Sequence, residues 1–171
     1  HASLAPSEMC IRDSVYPSQG IGIIDVIEEK ELKGEKIKCY IIHLINNTMK
    51  LTLPISAANT FNIRLVSDIK TLENSLKHLD RFMTEAEKFS KINYKERRNI
   101  SKIKMKSGTF DEFIEVIFDL TQLKRWHSLN SSEKQMLNHI KKIVVEEIAQ
   151  AKCLTSDEAS ELLDISMNLK S

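Results

Sequence analysis

The hydrophobic period of this chain changes once, near Ser67, from two to 3.6, and that switch divides what each half can fold into. Ahead of it, residues 21–28 (IGIIDVIE) form a β-rich run and residues 36–44 (KIKCYIIHL) alternate. Met49, Leu51 and Leu53 then alternate with Lys50 and Thr52 until Pro54. Turns are expected at Leu32-Lys33-Gly34-Glu35 and at Asn46-Asn47. Beyond Ser67, residues 68–79 predict a helix, residues 80–87 a polar connection and residues 88–106 a basic helix closed by Gly108. Thr109 with Glu112, and Thr155 with Glu158, have capping-box spacing, and Asn130 with Glu133 has cap spacing. They open helices with Phe113, Val116, Ile117 and Leu120, with Met136, Leu137, Ile140, Ile143, Val144 and Ile148, and with Ala159, Leu162 and Leu163 at core spacing. The expectation is an α+β chain: a small antiparallel β module over residues 15–66, then an all-helical bundle of four or five helices over residues 67–171.

Residues 1–14 read as a non-native leader and carry no weight in this division. Several function classes find no support in the rest. No apolar run approaches the roughly 20 residues of a membrane span, so a cytoplasmic protein is expected. Cys10, Cys39 and Cys153 are too scattered for a disulfide framework or a zinc site. No HExxH, GxSxG or phosphate-cradling glycine loop is present, so neither catalysis, metal nor cofactor is expected. His43, His78, His127 and His139 lack the spacing of metal ligands and read as solvated or hydrogen-bonded. Trp126, beside Lys124 and Arg125 at the end of an apolar helix, reads as core or hinge packing.

Charge is concentrated in residues 88–106: eight cations against the single acid Glu96 leave +7, in a chain whose formal net charge is +1. Wound as one helix, Phe89, Ile92, Ile100 and Ile103 fall on an apolar stripe. Lys91, Tyr94, Arg97, Arg98 and Lys102 fall on the opposite half, with Lys95 in the same basic run, and Glu96 projects towards the apolar side. An aromatic ring among cations is what a phosphate track with a stacking or wedging side chain needs. A solvated face, a protein-interaction adaptor and an RNA-binding protein are the other readings of the same residues.

Tyr16-Pro17, Gly20, Gly22, Ile27-Glu28, Leu32-Lys33-Gly34, Tyr40, Met49, Leu53-Pro54 and Ile63-Arg64 form an ordered pattern. It continues through Tyr94, Arg97, Ser107-Gly108, Glu115-Val116, Asp119-Leu120, Ser132-Glu133-Lys134, Met136-Leu137 and Glu146, so that it covers nearly all of residues 15–152. Taken together, the pattern resembles the CarD/CdnL family of bacterial transcription regulators. The resemblance implies a Tudor-like β module that docks on the RNA polymerase β subunit. It also implies a helical domain touching promoter DNA just upstream of the minus-ten element, where an aromatic wedge enters the minor groove and the open complex is stabilised without catalysis. The implied protein is a monomer with no cofactor. Tyr94 stands where the family usually has its wedge tryptophan. Family arginines facing the polymerase match Lys30 and Thr52, with Lys50 on the same strand face as Thr52. Asn62 stands where the family has glycine, and asparagine is the best substitute if the backbone there needs positive φ. For Tyr16, Tyr40 and Met49, packing of the small β core is the favoured role.

Overall fold

The structure, a computed structural model, describes residues 12–17, 19–45 and 48–169. The Asn46-Asn47 turn and residues 1–11 lie outside them. The described residues form two compact units, divided between Val66 and Ser67.

The first unit is one antiparallel sheet of five strands: β1 (Arg12–Tyr16), β2 (Gly20–Leu32), β3 (Glu35–Leu44), β4 (Lys50–Pro54) and β5 (Arg64–Leu65). Their order is β4-β3-β2-β1-β5. The β2–β3 hairpin closes on Lys33 and Gly34, both at positive φ (52° and 82°), the paired left-handed residues of a tight hairpin turn. A register shift between Ile24 and Val26 marks a bulge in β2. One face collects Ile24, Tyr40, Ile42, Leu44 and Leu53, closed over by Ile55, Ala58 and Ile63. Tyr40 is wholly buried there, and Tyr16 packs on this core with its ring 5.9 Å from that of Phe61.

The sheet adds to or departs from the sequence pattern at three places. Residues 12–14 belong to the sheet: Arg12, Asp13 and Ser14 pair with Ile24, Ile23 and Gly22, and the buried Ser14 hydroxyl donates to the Gly22 carbonyl at 3.2 Å. A backbone ladder needs no apolar alternation, so these residues can pair without showing a period in the sequence. Met49 is exposed, lying just ahead of β4, and so is not part of the core. The two-residue β5 is too short to show a period. Asn62 does adopt positive φ (54°), in the left-handed region that asparagine tolerates best after glycine.

Gly22 is required by a close approach. A Cβ on it would lie 2.6 Å from Ile42 Cγ2 and 3.2 Å from the His43 carbonyl oxygen. Gly22→Ala is therefore expected to cost about 1–3 kcal/mol, the usual penalty of forcing a methyl group into a packed core. A urea melt of the full chain checks this, and an unmoved midpoint would contradict the close approach.

The second unit contains α1 (Ile69–Lys77), a 3-10 turn (Leu79–Phe82), α2 (Met83–Lys91), α3 (Tyr94–Ser107), α4 (Phe110–Trp126), α5 (Ser131–Lys152) and α6 (Ser156–Leu169). Helix α4 is the hub: it buries ten residues, and α1, α2, α3 and α5 all pack on it. A wholly buried Glu147 on α5 accepts the Ser67 backbone N–H at 2.8 Å, fixing the start of this unit to its longest helix. Six α-helices replace the expected four or five. The supposed polar connection holds the 3-10 turn and the start of α2, because Leu79, Phe82 and Ala86 are buried there. The supposed basic helix is two helices, broken at Ile92 and Asn93.

Candidate nucleic-acid interface

The break has a local cause. Asn93 is extended, and its side chain accepts the Glu96 N–H at 3.0 Å, so it starts α3 afresh as an N-cap. Glu96 is thereby placed in the first turn, exposed, where an acid suits the positive end of a helix. Gly108 ends α3 in the left-handed conformation (φ 76°), donating to the Lys104 carbonyl. Thr109 then caps α4 by accepting the Glu112 N–H at 3.1 Å. The other half of the expected capping box is missing, since the Glu112 carboxylate accepts from the Ser107 hydroxyl instead. Full boxes do form at Asn130 with Glu133 and at Thr155 with Glu158.

Helix α3 turns Arg97, Ser101 and Lys104 inward and leaves its isoleucines outward, contrary to the expected apolar stripe, while Lys95, Arg98 and Lys102 stay exposed. Ile103 is 71% exposed and Ile100 is 36% exposed, while Ser101 is buried and Arg97 and Lys104 point into the unit. Buried acids on the neighbouring helices make this possible. Arg97 Nε donates to Glu133 Oε1 at 2.8 Å, and Arg97 Nη1 donates to the Ile92 carbonyl at 2.8 Å. Glu133, only 5% exposed, uses Oε2 to accept the Asn130 N–H at 3.2 Å. One ion pair thus ties the α2–α3 break to the start of α5. Seven residues further along α3, Lys104 lies 2.8 Å from Glu115 and 3.1 Å from the buried Asp119.

The ends of that second cluster do not balance. Burial pushes Asp119 up to about 6, more than the attraction of Lys104 offsets, because Lys104 divides its charge between two acids. Asp119 Oδ1 also lacks a hydrogen-bond partner among the described residues. For Lys104, burial works against the charge, but Glu115 and Asp119 outweigh it and raise the ammonium above its ordinary value. With a folded value above the unfolded one, Asp119 is protonated in the native state between about pH 4 and 6 while the unfolded chain is not, so its cost to stability falls as pH falls through 6. Asp119→Asn is expected to remove that slope: its stability relative to the parent should be about 2 kcal/mol more favourable at pH 7 than at pH 4. Parallel stability curves for the two proteins across that range would contradict it.

These contacts sort the basic residues. Lys88 pairs with Glu85, Arg97 with Glu133, and Lys104 with Glu115 and Asp119. Lys91, Lys95, Arg98 and Lys102 are exposed and have no ion-pair partner among the described residues. Arg97 therefore departs from its expected place as a solvent-facing phosphate contact and positions the segment instead. Tyr94, Arg98 and Lys102 follow at intervals of four on α3, with Lys95 alongside and Lys91 at the end of α2. The Tyr94 ring is 36% exposed. Its inner edge sits in a crevice with Phe89, Arg98 and Met136, which has room for about 10 Å³. The ring is half anchored and half presented, with free cations along one side. Glu133 was missed as a site residue, although the sequence marks it as an acid at the third position after a cap.

In the β module, Lys30 pairs with Ile37, Lys50 with His43 and Thr52 with Ile41. Ile37, Ile41 and His43 alternate on β3, so all three expected contacts share one face of the sheet and all three are exposed. The set spreads over seven residues of β3, Ile37 to His43, roughly 20 Å, with exposed Glu28 between Lys30 and Thr52 on the same face. It is a strip along a sheet whose outer strand β4 is unpaired on one side among the described residues.

Among the described residues, no helix is long and apolar enough to cross a membrane. Residues 15–67 match the CarD-like/TRCF RID domain family, and residues 78–164 match the CarD C-terminal domain family. A Bacillus subtilis (strain 168) protein that bears the name of a candidate transcription factor, YdeB, is 35% identical over 144 residues, which span 84% of this chain and 92% of that one.

Proposed function

The chain belongs to the CarD family, and from that premise we propose that it is a bacterial transcription regulator that binds RNA polymerase and stabilises the open promoter complex. In this reading the β module docks on the polymerase β subunit through the face carrying Lys30, Lys50 and Thr52. The helical unit meets promoter DNA upstream of the minus-ten element. Tyr94 wedges at a base step in the minor groove, and Lys91, Lys95, Arg98 and Lys102 take phosphates. The protein acts as a cytoplasmic monomer, and no bond is made or broken.

The observation that carries the reading is the half-exposed Tyr94 ring beside four cations that the fold leaves unpaired. Phosphate neutralisation gives affinity without sequence preference, and a ring inserted at a step gains most where the stack is already broken. A protein that contacts melted promoter better than paired duplex shifts the equilibrium by that difference in affinity. Carrying the DNA contact on a chain already held by polymerase raises its effective concentration, so a small surface suffices.

Binding of the full chain to a bubbled promoter duplex across a salt series tests this. Preference for the bubble over the paired duplex is expected, and replacing Arg98 and Lys102 together by glutamine should lower the slope of log K against log salt by about 1.8. No nucleic-acid binding would leave a protein-interaction adaptor, and preference for structured RNA would make it an RNA-binding protein.

A further inference from the structure

Trp126, expected in core or hinge packing, ends α4 with 42% of its surface exposed. It borders an open groove of about 640 Å³ between the end of α4 and the first turns of α5, a volume suited to a nucleotide-sized group. Lys124, Arg125 and Lys134 line the groove, buried Leu129 and Leu137 contribute apolar surface, and no acid is among the described lining residues. None of the three cations has an ion-pair partner among the described residues. The helix dipole accounts for Lys124 and Arg125 in the last turn of α4. It disfavours Lys134, which lies next to the first turn of α5, and it gives no reason for a tryptophan in water. An exposed indole within an all-cationic rim is complementary to an aromatic base flanked by phosphates.

We propose that this groove is a second nucleic-acid contact, which stacks an unpaired base of single-stranded DNA on Trp126 while Lys124, Arg125 and Lys134 hold the adjoining phosphates. The inference rests on the promoter reading, since a melted promoter supplies the single strand. It uses a different surface, however. Ser132, Glu133 and Met136 line the Tyr94 crevice, whereas Lys134, Leu137 and Asn138 line this groove, so the two sites flank the start of α5 and can be altered separately.

Trp126 is the single tryptophan of the chain, so its emission reports on this groove. Titrating the full chain with a short oligothymidylate should quench that emission saturably, at concentrations at least tenfold below those needed with a paired duplex, heparin or thymidine monophosphate. Replacing Lys124, Arg125 and Lys134 together by glutamine should lower the single-strand salt slope by about 2. Trp126→Ala, followed by anisotropy of a labelled oligothymidylate, should weaken binding roughly fivefold or more. Absent quenching, or equal quenching by heparin or duplex, overturns the proposal, and equal quenching by the mononucleotide overturns the assignment to a strand. Tyr94→Ala should leave the quenching intact. Loss of quenching with an intact effect on the open complex removes this groove alone, while quenching with no effect on the open complex removes the promoter reading alone.

Discussion

Glu133→Ala is expected to destabilise the helical unit by about 3–5 kcal/mol, because it strands a largely buried guanidinium. The same change removes the carboxylate that closes the Asn130 capping box, adding about 1 kcal/mol at the start of α5. A loss of that size is a large fraction of the 5–15 kcal/mol that ordinarily separates a folded domain from its unfolded chain. Two further variants separate the causes. Glu133→Gln keeps one acceptor oxygen, for Arg97 or for the cap, turns an amide NH2 towards the other, and should still cost less than the alanine. Combining Arg97→Met with Glu133→Leu removes both charges, so it should recover much of the loss, since a matched apolar pair seldom costs what a broken buried ion pair does. Guanidinium melts at constant slope measure all three. An alanine variant as stable as the parent would mean that Arg97 finds solvent without cost, and Arg97 would then return to the phosphate-facing role.

Tyr94→Ala is expected to shorten the open-complex lifetime conferred by the protein roughly 5- to 30-fold, from about 1–2 kcal/mol of lost base contact. Because part of the ring sits against Phe89 and Met136, the alanine also loses some packing. Tyr94→Phe keeps that packing and the ring face, and should retain most of the effect. An alanine variant that melts like the parent and extends the lifetime as well as the parent does would remove the wedge.

Both predictions concern a segment only partly legible in the sequence. The change of period at Ser67 was legible because each half repeats its own pattern many times over, and the sheet and the helices follow it. Gly108, Asn130 and Asn62 were legible because each satisfies a backbone requirement that few residues can meet. The facing of α3 was not. Helical periodicity assigns isoleucines inward and cations outward, and it fails where the core supplies its own acids; Glu115, Asp119 and Glu133 lie 11, 15 and 36 residues from the α3 cations they pair with, on other helices, so the period of α3 alone does not show them. The same seam explains why Arg97 and Lys104 do not contribute to the exposed charge, while Lys91, Lys95, Arg98 and Lys102 do. Of the core or hinge packing expected for Trp126, the core is excluded: it continues an apolar helix, but it stands on the last residue and is exposed.

The most direct measurement is the half-life of a bacterial RNA polymerase open complex on a ribosomal-RNA promoter, with and without the full chain, alongside a binding assay on the polymerase itself. A longer half-life in the presence of the protein is the predicted result. An unchanged half-life with the protein bound to polymerase would contradict the account, leaving a CarD-family chain that occupies the enzyme without acting on promoter opening.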